Sequence, residues 1–133
     1  MRAGERARAD AMTEAANSLA AALSRLRRFE EARSLLRNTI PLAQRVVGHP
    51  IVGEDRELTL IMKLTYAKCL YKDDGATLDD LREAVNTLED TERTARRVLG
   101  AAHPLVQNHI GRSLGESRAT LRARETPSPA ESA

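Results

Sequence analysis

Apolar side chains recur at steps of three and four residues along most of the chain, a spacing that places them on one face of a helix. The first such run extends from Ala11 to Leu26 and the second from Phe29 to Val47, with a break at "RLRRF". Gly48 predicts the end of the second run. Pro41 lies inside that run and predicts a kink or a boundary, because proline has no N–H to donate.

A third helix is predicted from Glu57 or Leu58 to about Lys72, and it is apolar almost all round. Its polar side is a narrow stripe of Thr65, Lys68 and Lys72. A helix with this profile packs between neighbours, so we expect it at the centre of the protein.

Two further helices follow the turn "YKDDGA". Thr77 with Asp80 three residues later predicts an N-cap and a capping box for the fourth helix, and Gly100 predicts its end. Pro104 suits the first position of a fifth helix, which runs to about Arg124. No segment alternates with period two over a useful length, so the pattern predicts an all-α fold.

The second and fourth helices are related by an internal repeat. Residues 31–48 and 83–100 share eight identical positions at a shift of 52. Self-similarity of this kind indicates stacked repeats. Residues predicted to be buried are Leu19, Leu23, Leu36, Leu64, Ala67, Leu70 and Leu88.

The stretch "LAAALSRLRRFEEARSLL" resembles a tetratricopeptide repeat, and "RVVG", "GEDRELTL", "YAKCLY" and "RRVLGAAHPL" resemble the variant found in kinesin light chains. The resemblance covers roughly residues 10–115 and implies antiparallel helix hairpins stacked as a short right-handed superhelix of about two and a half repeats. Two departures stand out. Arg27 occupies the position that is usually glycine, and the spacing from Pro104 to Leu114 fits only with a slip of about one residue.

The predicted organisation has six parts. They are a disordered basic N-terminus over 1–9, a first hairpin over 10–48, a loop over 49–56, a second hairpin over 57–100 with a long turn at 73–77, a capping helix over 101–124, and a disordered tail over 125–133.

Composition narrows the class of protein. The chain has 133 residues, a net charge of +2 with both signs mixed, and only 2% aromatic residues, which disfavours nucleic-acid binding. The single cysteine, Cys69, excludes an intrachain disulfide and is expected to be a small buried side chain. No apolar run approaches a membrane span and no leader is evident, so we expect no membrane association and a cytoplasmic location.

Candidate catalytic and metal-binding groups are sparse. His103 and His109 are six residues apart and therefore about 120° apart around a helix, which does not suit a pair of metal ligands. No serine or cysteine nucleophile is paired with a histidine, and no glycine-rich phosphate loop is present. We expect no catalysis, no metal and no cofactor.

The resemblance implies a protein-interaction module in which the first helix of each hairpin lines a concave groove. Residues expected to line it are Asn17, Ala21, Ser24 and Arg25 in the first hairpin, and Leu64, Lys68, Tyr71 and Lys72 in the second. The basic members favour an acidic, extended peptide or partner segment. The alternative is a structural or capping fragment of a longer repeat protein, or a self-associating helical bundle, with no ligand of its own.

Overall fold

A computed structural model describes residues 3–47 and 53–126, and within these ranges every regular element is helical. The helices are α1 (Ala3–Arg25), α2 (Phe29–Val47), α3 (Gly53–Tyr71), α4 (Leu78–Leu99), and α5 (Gly111–Glu125), which is preceded directly by a π-helical segment, Leu105–Ile110. The prediction of an all-α fold is confirmed.

Helix α1 begins earlier than the apolar pattern indicates. It starts at Ala3, so the prediction of a disordered N-terminus over 1–9 is wrong for residues 3–9. The segment is rich in alanine, arginine and glutamate, which all have high helix propensity. Ala9 is buried, and the hydroxyl of Thr13 donates to its carbonyl oxygen at 2.8 Å.

The turn between α1 and α2 is a Schellman motif. The N–H of Arg28 donates to the carbonyl of Leu23 at 2.8 Å, and the N–H of Arg27 donates to that of Ser24 at 3.0 Å, which is the hydrogen-bond pattern of that motif. Arg27 has a φ of 60°, in the left-handed region that glycine adopts most readily. The sequence comparison therefore located the position of the turn correctly.

Helix α2 passes through Pro41 without ending there and continues to Val47. The boundary considered at Pro41 is therefore absent. Leu36 and Ala43, on either side of the proline, are both buried, and their packing compensates for the one backbone hydrogen bond that proline removes. Gly48, the predicted end of the helix, lies outside the described residues.

Helix α3 begins at Gly53, four residues before the predicted start at 57, so the loop predicted over 49–56 is wrong for residues 53–56. The stretch "GEDRE" that opens the helix contains no apolar residue, and hydrophobic periodicity cannot detect a turn of this composition. The remaining positions of that loop, 49–52, lie outside the described residues.

The ends of α4 agree with the prediction. The hydroxyl of Thr77 accepts from the N–H of Asp80 at 3.1 Å, and the carboxylate of Asp80 accepts from the N–H of Thr77 at 3.0 Å. This is the reciprocal capping box. Gly100 follows the last residue with a φ of 93°, a conformation that glycine permits.

The last helical segment is not a uniform α-helix from Pro104, as the sequence predicts. Pro104 is its N-cap and the first six residues, Leu105–Ile110, are π-helical. A π-bulge accommodates one extra residue in a helix, and this accounts for the slip of about one residue in the third unit. The wider turn buries Leu105, Val106 and Ile110 together. The helix ends at Glu125, the first residue of the predicted tail, and residues 127–133 lie outside the described ranges.

Successive helices pack against one another, and α1 also contacts α3. The largest buried cluster is formed by α3, α4 and the last helical segment, while two smaller clusters join α1, α2 and α3. Of the seven residues predicted to be buried, six are buried: Leu23, Leu36, Leu64, Ala67, Leu70 and Leu88.

Leu19 is the exception, because 52% of it is exposed. The next residue, Ala20, is fully buried and points about 100° further around the helix. The face of α1 that packs against α2 and α3 therefore includes Ala20 and Leu23 and leaves Leu19 outside. No helix in the described ranges is both long and apolar enough to cross a membrane.

Candidate functional site

A groove of about 430 Å³ lies between the C-terminal halves of α1 and α3 and extends to the α1–α2 turn. We call it the basic groove. Its lining residues are Ala21, Ser24, Arg25, Arg27, Phe29, Thr65, Lys68 and Lys72. Of the residues predicted to line a peptide groove, the structure brings together Ala21, Ser24, Arg25, Lys68 and Lys72.

Four of the eight lining side chains are cationic. Arg25, Arg27 and Lys72 are exposed, whereas Lys68 is partly buried. Burial lowers the pKa of Lys68, and the nearby positive charges of Lys72 and Arg112 lower it further, while Glu116 acts in the opposite direction. A lysine held in this way gains from an added anion, because the anion offsets both the lost hydration and the like charges.

Phe29 and Arg27 form the end of the groove near the turn. The guanidinium carbon of Arg27 lies 5.2 Å from the centre of the Phe29 ring, which is within the range of a cation–π contact. The same guanidinium is 3.4 Å from the carboxylate of Asp74. The left-handed backbone of Arg27 thus places a cation over an aromatic ring at the mouth of the groove.

Asn17 lies one helical turn before Ala21, and its side chain is partly buried. Its Oδ1 atom is buried and has no hydrogen-bond partner among the described residues. An unpaired buried carbonyl oxygen costs about 1–3 kcal/mol. Asn17 does not line the groove volume itself, but its position on α1 continues the same side of the helix.

Leu64 and Tyr71 belong to the core and not to the groove, so their assignment as groove residues is corrected. Leu64 is 5% exposed and Tyr71 is 7% exposed, and both lie in the largest buried cluster. The Tyr71 hydroxyl donates to the carboxylate of Glu116 on α5 at 2.8 Å, and burial raises its pKa. Because α3 packs against several helices, only its narrow polar stripe faces the groove.

Cys69 lies behind the groove and is fully buried. Burial raises the pKa of its thiol, although a hydrogen bond with Ser24 and the charge of Arg33 act in the opposite direction. A thiol with a raised pKa is a poor nucleophile at neutral pH. Cys69 is thus a small packing residue, as the sequence predicts.

The histidines do not form a cluster. The Nδ1 atom of His103 accepts from the N–H of Leu105 at 3.1 Å, which helps to start the last helical segment, and His109 is exposed. His49 lies outside the described residues. In the described ranges, no three His, Cys, Asp or Glu side chains are placed to hold a metal ion.

Three groove residues, Arg27, Phe29 and Thr65, were not predicted from the sequence. The sequence does contain a signal for Thr65. Thr65 belongs to the polar stripe of α3, and its position one turn before Lys68 indicates the groove. Arg27 and Phe29 were missed because they belong to a turn and to the start of α2, where helical spacing gives no information about direction.

The comparisons with known proteins concern the first hairpin. Residues 13–51 match the family model of the tetratricopeptide repeat. Searches of curated proteins and of solved structures give no match to the chain. The matched segment covers the second half of α1 and all of α2. Residues 31–48 within it share eight identical positions with residues 83–100. Residues 13–51 of this chain thus match a tetratricopeptide repeat.

Proposed function

We propose that this protein is a non-catalytic interaction module whose basic groove binds an acidic, extended peptide segment of a partner protein. Tetratricopeptide repeats are protein-interaction units, and the family match makes this class of function the natural one for the chain. The observation that carries the finer proposal is the convergence of Arg25, Arg27, Lys68 and Lys72 around one groove. The kinesin light chain-like variant of the repeat and a cytoplasmic location are part of the proposal.

Electrostatics decides the chemical class of ligand. A ligand carboxylate near Lys68 would relieve the repulsion from Lys72 and Arg112 that lowers the pKa of Lys68. An N–H from an extended peptide backbone would satisfy the Asn17 Oδ1 atom, which is buried and has no partner within the described ranges. An acidic peptide supplies both groups.

The expected affinity is modest. Leu64 and Tyr71 are in the core and cannot act as apolar anchors, and Phe29 is only 6% exposed. Each exposed ion pair contributes about 0.2–1 kcal/mol, so four contacts give about 1–4 kcal/mol before backbone hydrogen bonds are counted. We expect dissociation constants in the micromolar range or weaker, with binding that weakens as salt increases.

A double charge reversal tests the proposal. The variant Lys68→Glu with Lys72→Glu should lose binding to acidic members of a peptide library and keep its helical circular dichroism. Its matched control is Arg45→Glu with Arg97→Glu, which changes the net charge equally at two exposed, repeat-related positions on α2 and α4. The control should bind like the wild type. Equal loss in both variants would show that only net charge matters, and unchanged binding in the groove variant would refute the site.

The alternative, a structural or capping fragment without a ligand, predicts that neither variant changes any interaction because no peptide binds. The same library screen on the wild-type protein separates the two. Binding of acidic peptides supports the module, and the absence of any selected sequence supports the fragment.

A further inference from the structure

Lysine is rare in this chain, and its lysines lie close together. Three of the 21 lysine and arginine residues are lysines, namely Lys63, Lys68 and Lys72. Lys63 and Lys68 are on α3, and Lys72 follows the last residue of that helix. An arginine side chain stays protonated in proteins, whereas a lysine amine can lose its proton and act as a nucleophile. Among the basic side chains of these two types, nucleophilic chemistry is therefore confined to α3 and its end.

The three lysines have different surroundings. The N–H of Lys72 donates to the carbonyl oxygen of Lys68 at 3.0 Å, so these two residues are one helical turn apart, and both line the basic groove. Lys72 is exposed, whereas Lys68 is partly buried. Lys63 is about 140° away from Lys68 around the helix, and its side chain points away from the groove. Lys68 is thus the lysine that is held inside the groove.

The groove favours the uncharged form of the Lys68 amine. Burial is the main cause that lowers its pKa, and the charges of Lys72 and of Arg112 on α5 lower it further. Glu116 acts in the opposite direction, but its carboxylate already accepts from the hydroxyl of Tyr71 at 2.8 Å. A lysine that is removed from water and lies beside other cations is activated as a nucleophile at neutral pH.

The same groove has the size and the charge to hold a small anion beside this amine. Its volume is about 430 Å³, within the range of about 300–1,000 Å³ that is usual for small-molecule sites. Arg27 is engaged by the carboxylate of Asp74 at 3.4 Å. Within the described part of the chain, Arg25 and Lys72 are in no ion pair, and both line the groove. These two cations can therefore bind a phosphate group.

We propose that Lys68 is a site of covalent acylation by small acyl phosphates, whose phosphate group binds to Arg25 and Lys72. The free Nζ atom of Lys68 attacks the acyl carbon, and a C–N bond forms. The bond between the acyl carbon and the phosphate oxygen breaks, inorganic phosphate leaves, and the proton released by the amine goes to solvent. The product is a neutral amide on Lys68, and no oxidant or reductant takes part.

Acylation would change the charge of the groove. It converts an ammonium group into a neutral amide and ends the repulsion between Lys68 and its neighbours Lys72 and Arg112. The modified groove should bind acidic peptides less well, and a bound acidic peptide should protect Lys68, because it stabilises the protonated amine. These two consequences rest on the proposed function, whereas the acylation itself does not.

Treatment of the full chain with acetyl phosphate tests the proposal, with the acetylation of each lysine followed by mass spectrometry. Lys63 and Lys72 are controls within the same molecule, so decay of the reagent affects all three rates equally. At neutral pH, Lys68 should be acetylated several-fold faster than either control. The ratio should fall as the pH approaches the ordinary lysine value of 10.5, where an ordinary lysine amine also loses its proton. Equal rates at the three lysines at neutral pH would overturn the proposal.

A pair of variants tests the phosphate site. Arg25→Gln should slow the acetylation of Lys68 several-fold and leave that of Lys63 unchanged. The matched control is Arg45→Gln, at an exposed position on α2, which should react like the wild type. An uncharged reagent, the N-hydroxysuccinimide ester of acetic acid, should acetylate Lys68 at the same rate in both variants. Circular dichroism checks that both remain folded.

A Lys68 rate with acetyl phosphate that Arg25→Gln does not change would overturn the proposal, and so would a rate that excess inorganic phosphate does not reduce. These measurements use no peptide. Failure of acidic peptides to bind would therefore refute the proposed function alone, and failure of Lys68 to react would refute the acylation alone.

Discussion

Arg33 on α2 reaches across to Asp73, just beyond the end of α3, and links the two hairpins. Its Nη1 atom lies 3.1 Å from the Oδ2 atom of Asp73 and 3.2 Å from the carbonyl oxygen of Cys69. The two side chains are only 17% and 30% exposed. Asp73 also accepts from the N–H of Gly75 at 2.9 Å, so one carboxylate organises the turn that separates α3 from α4.

Replacing Arg33 by alanine should destabilise the protein by about 1–2 kcal/mol, because a charged donor with two acceptors is removed from a partly buried position. The control is Arg28→Ala, which removes an exposed pair with Glu31 and should cost about 0.5 kcal/mol or less. Urea denaturation followed by circular dichroism measures both. Equal midpoints for the two variants would show that Arg33 does not join the hairpins energetically.

Asp73 is expected to make the folding stability of the protein sensitive to acid. The hydrogen bond from the Gly75 N–H is the main cause that lowers the pKa of Asp73 in the folded protein, and Arg33 lowers it further. A carboxyl group whose folded pKa is lowered contributes stability above its unfolded pKa of about 3.9, and this contribution is lost as the pH falls through the folded pKa.

The variant Asp73→Asn should therefore be less stable than the wild type at neutral pH and should approach the wild type below about pH 4. Denaturation midpoints measured across this range test the point. A difference between the two proteins that is constant with pH would contradict it.

Lys68 is expected to lower the stability of the folded protein while it favours the binding of acidic peptides. Because its folded pKa is lowered, the unfolded chain binds more protons than the folded one as the pH approaches the ordinary lysine value. The stability of the wild type should therefore rise with pH between the lowered pKa of Lys68 in the folded protein and the ordinary lysine pKa of 10.5. Lys68→Met removes this titration and the buried charge, so it should be more stable at pH 7, by about 1 kcal/mol or less, and should bind acidic peptides less well. A variant that loses stability at pH 7 would show that the lysine is well accommodated.

Leu70 tests the central position of α3. It is 1% exposed, so Leu70→Asp places an unpaired charge in the core at a cost of several kcal/mol, and we expect loss of cooperative thermal unfolding. The matched control is Leu19→Asp, the same substitution at an exposed position, which should melt close to the wild type. Similar melting of both variants would contradict the hairpin packing.

The sequence predicts the elements with specific local chemistry well. Thr77, Asp80 and Gly100 define the ends of α4 because caps depend on the type of residue and its spacing alone. The turn position at Arg27, which the family resemblance implies, is confirmed by its left-handed φ of 60°. The starts of α1 and α3 were placed too late because their first turns are polar, and apolar periodicity carries no information there.

The groove was predicted only in part, for a physical reason. Lys68 and Lys72 lie on the single polar stripe of an otherwise apolar helix, so their direction follows from the sequence. Leu64 and Tyr71 are on faces of α3 that could pack against either a ligand or another helix. Only the position of α5, which supplies Glu116 to Tyr71, decides between the two. Leu19 was misplaced for a similar reason, because its side of α1 has no helix packed against it in the described ranges.

The most direct measurement of the central claim is to map a selected acidic peptide on the isotopically labelled protein by amide chemical-shift changes. We predict that the shifts cluster on α1 around Asn17 to Arg25 and on α3 around Thr65 to Lys72, and that they diminish as salt is raised. Shifts that instead follow the arginines of α2, from Arg33 to Arg45, would place the ligand on the opposite face and contradict the account.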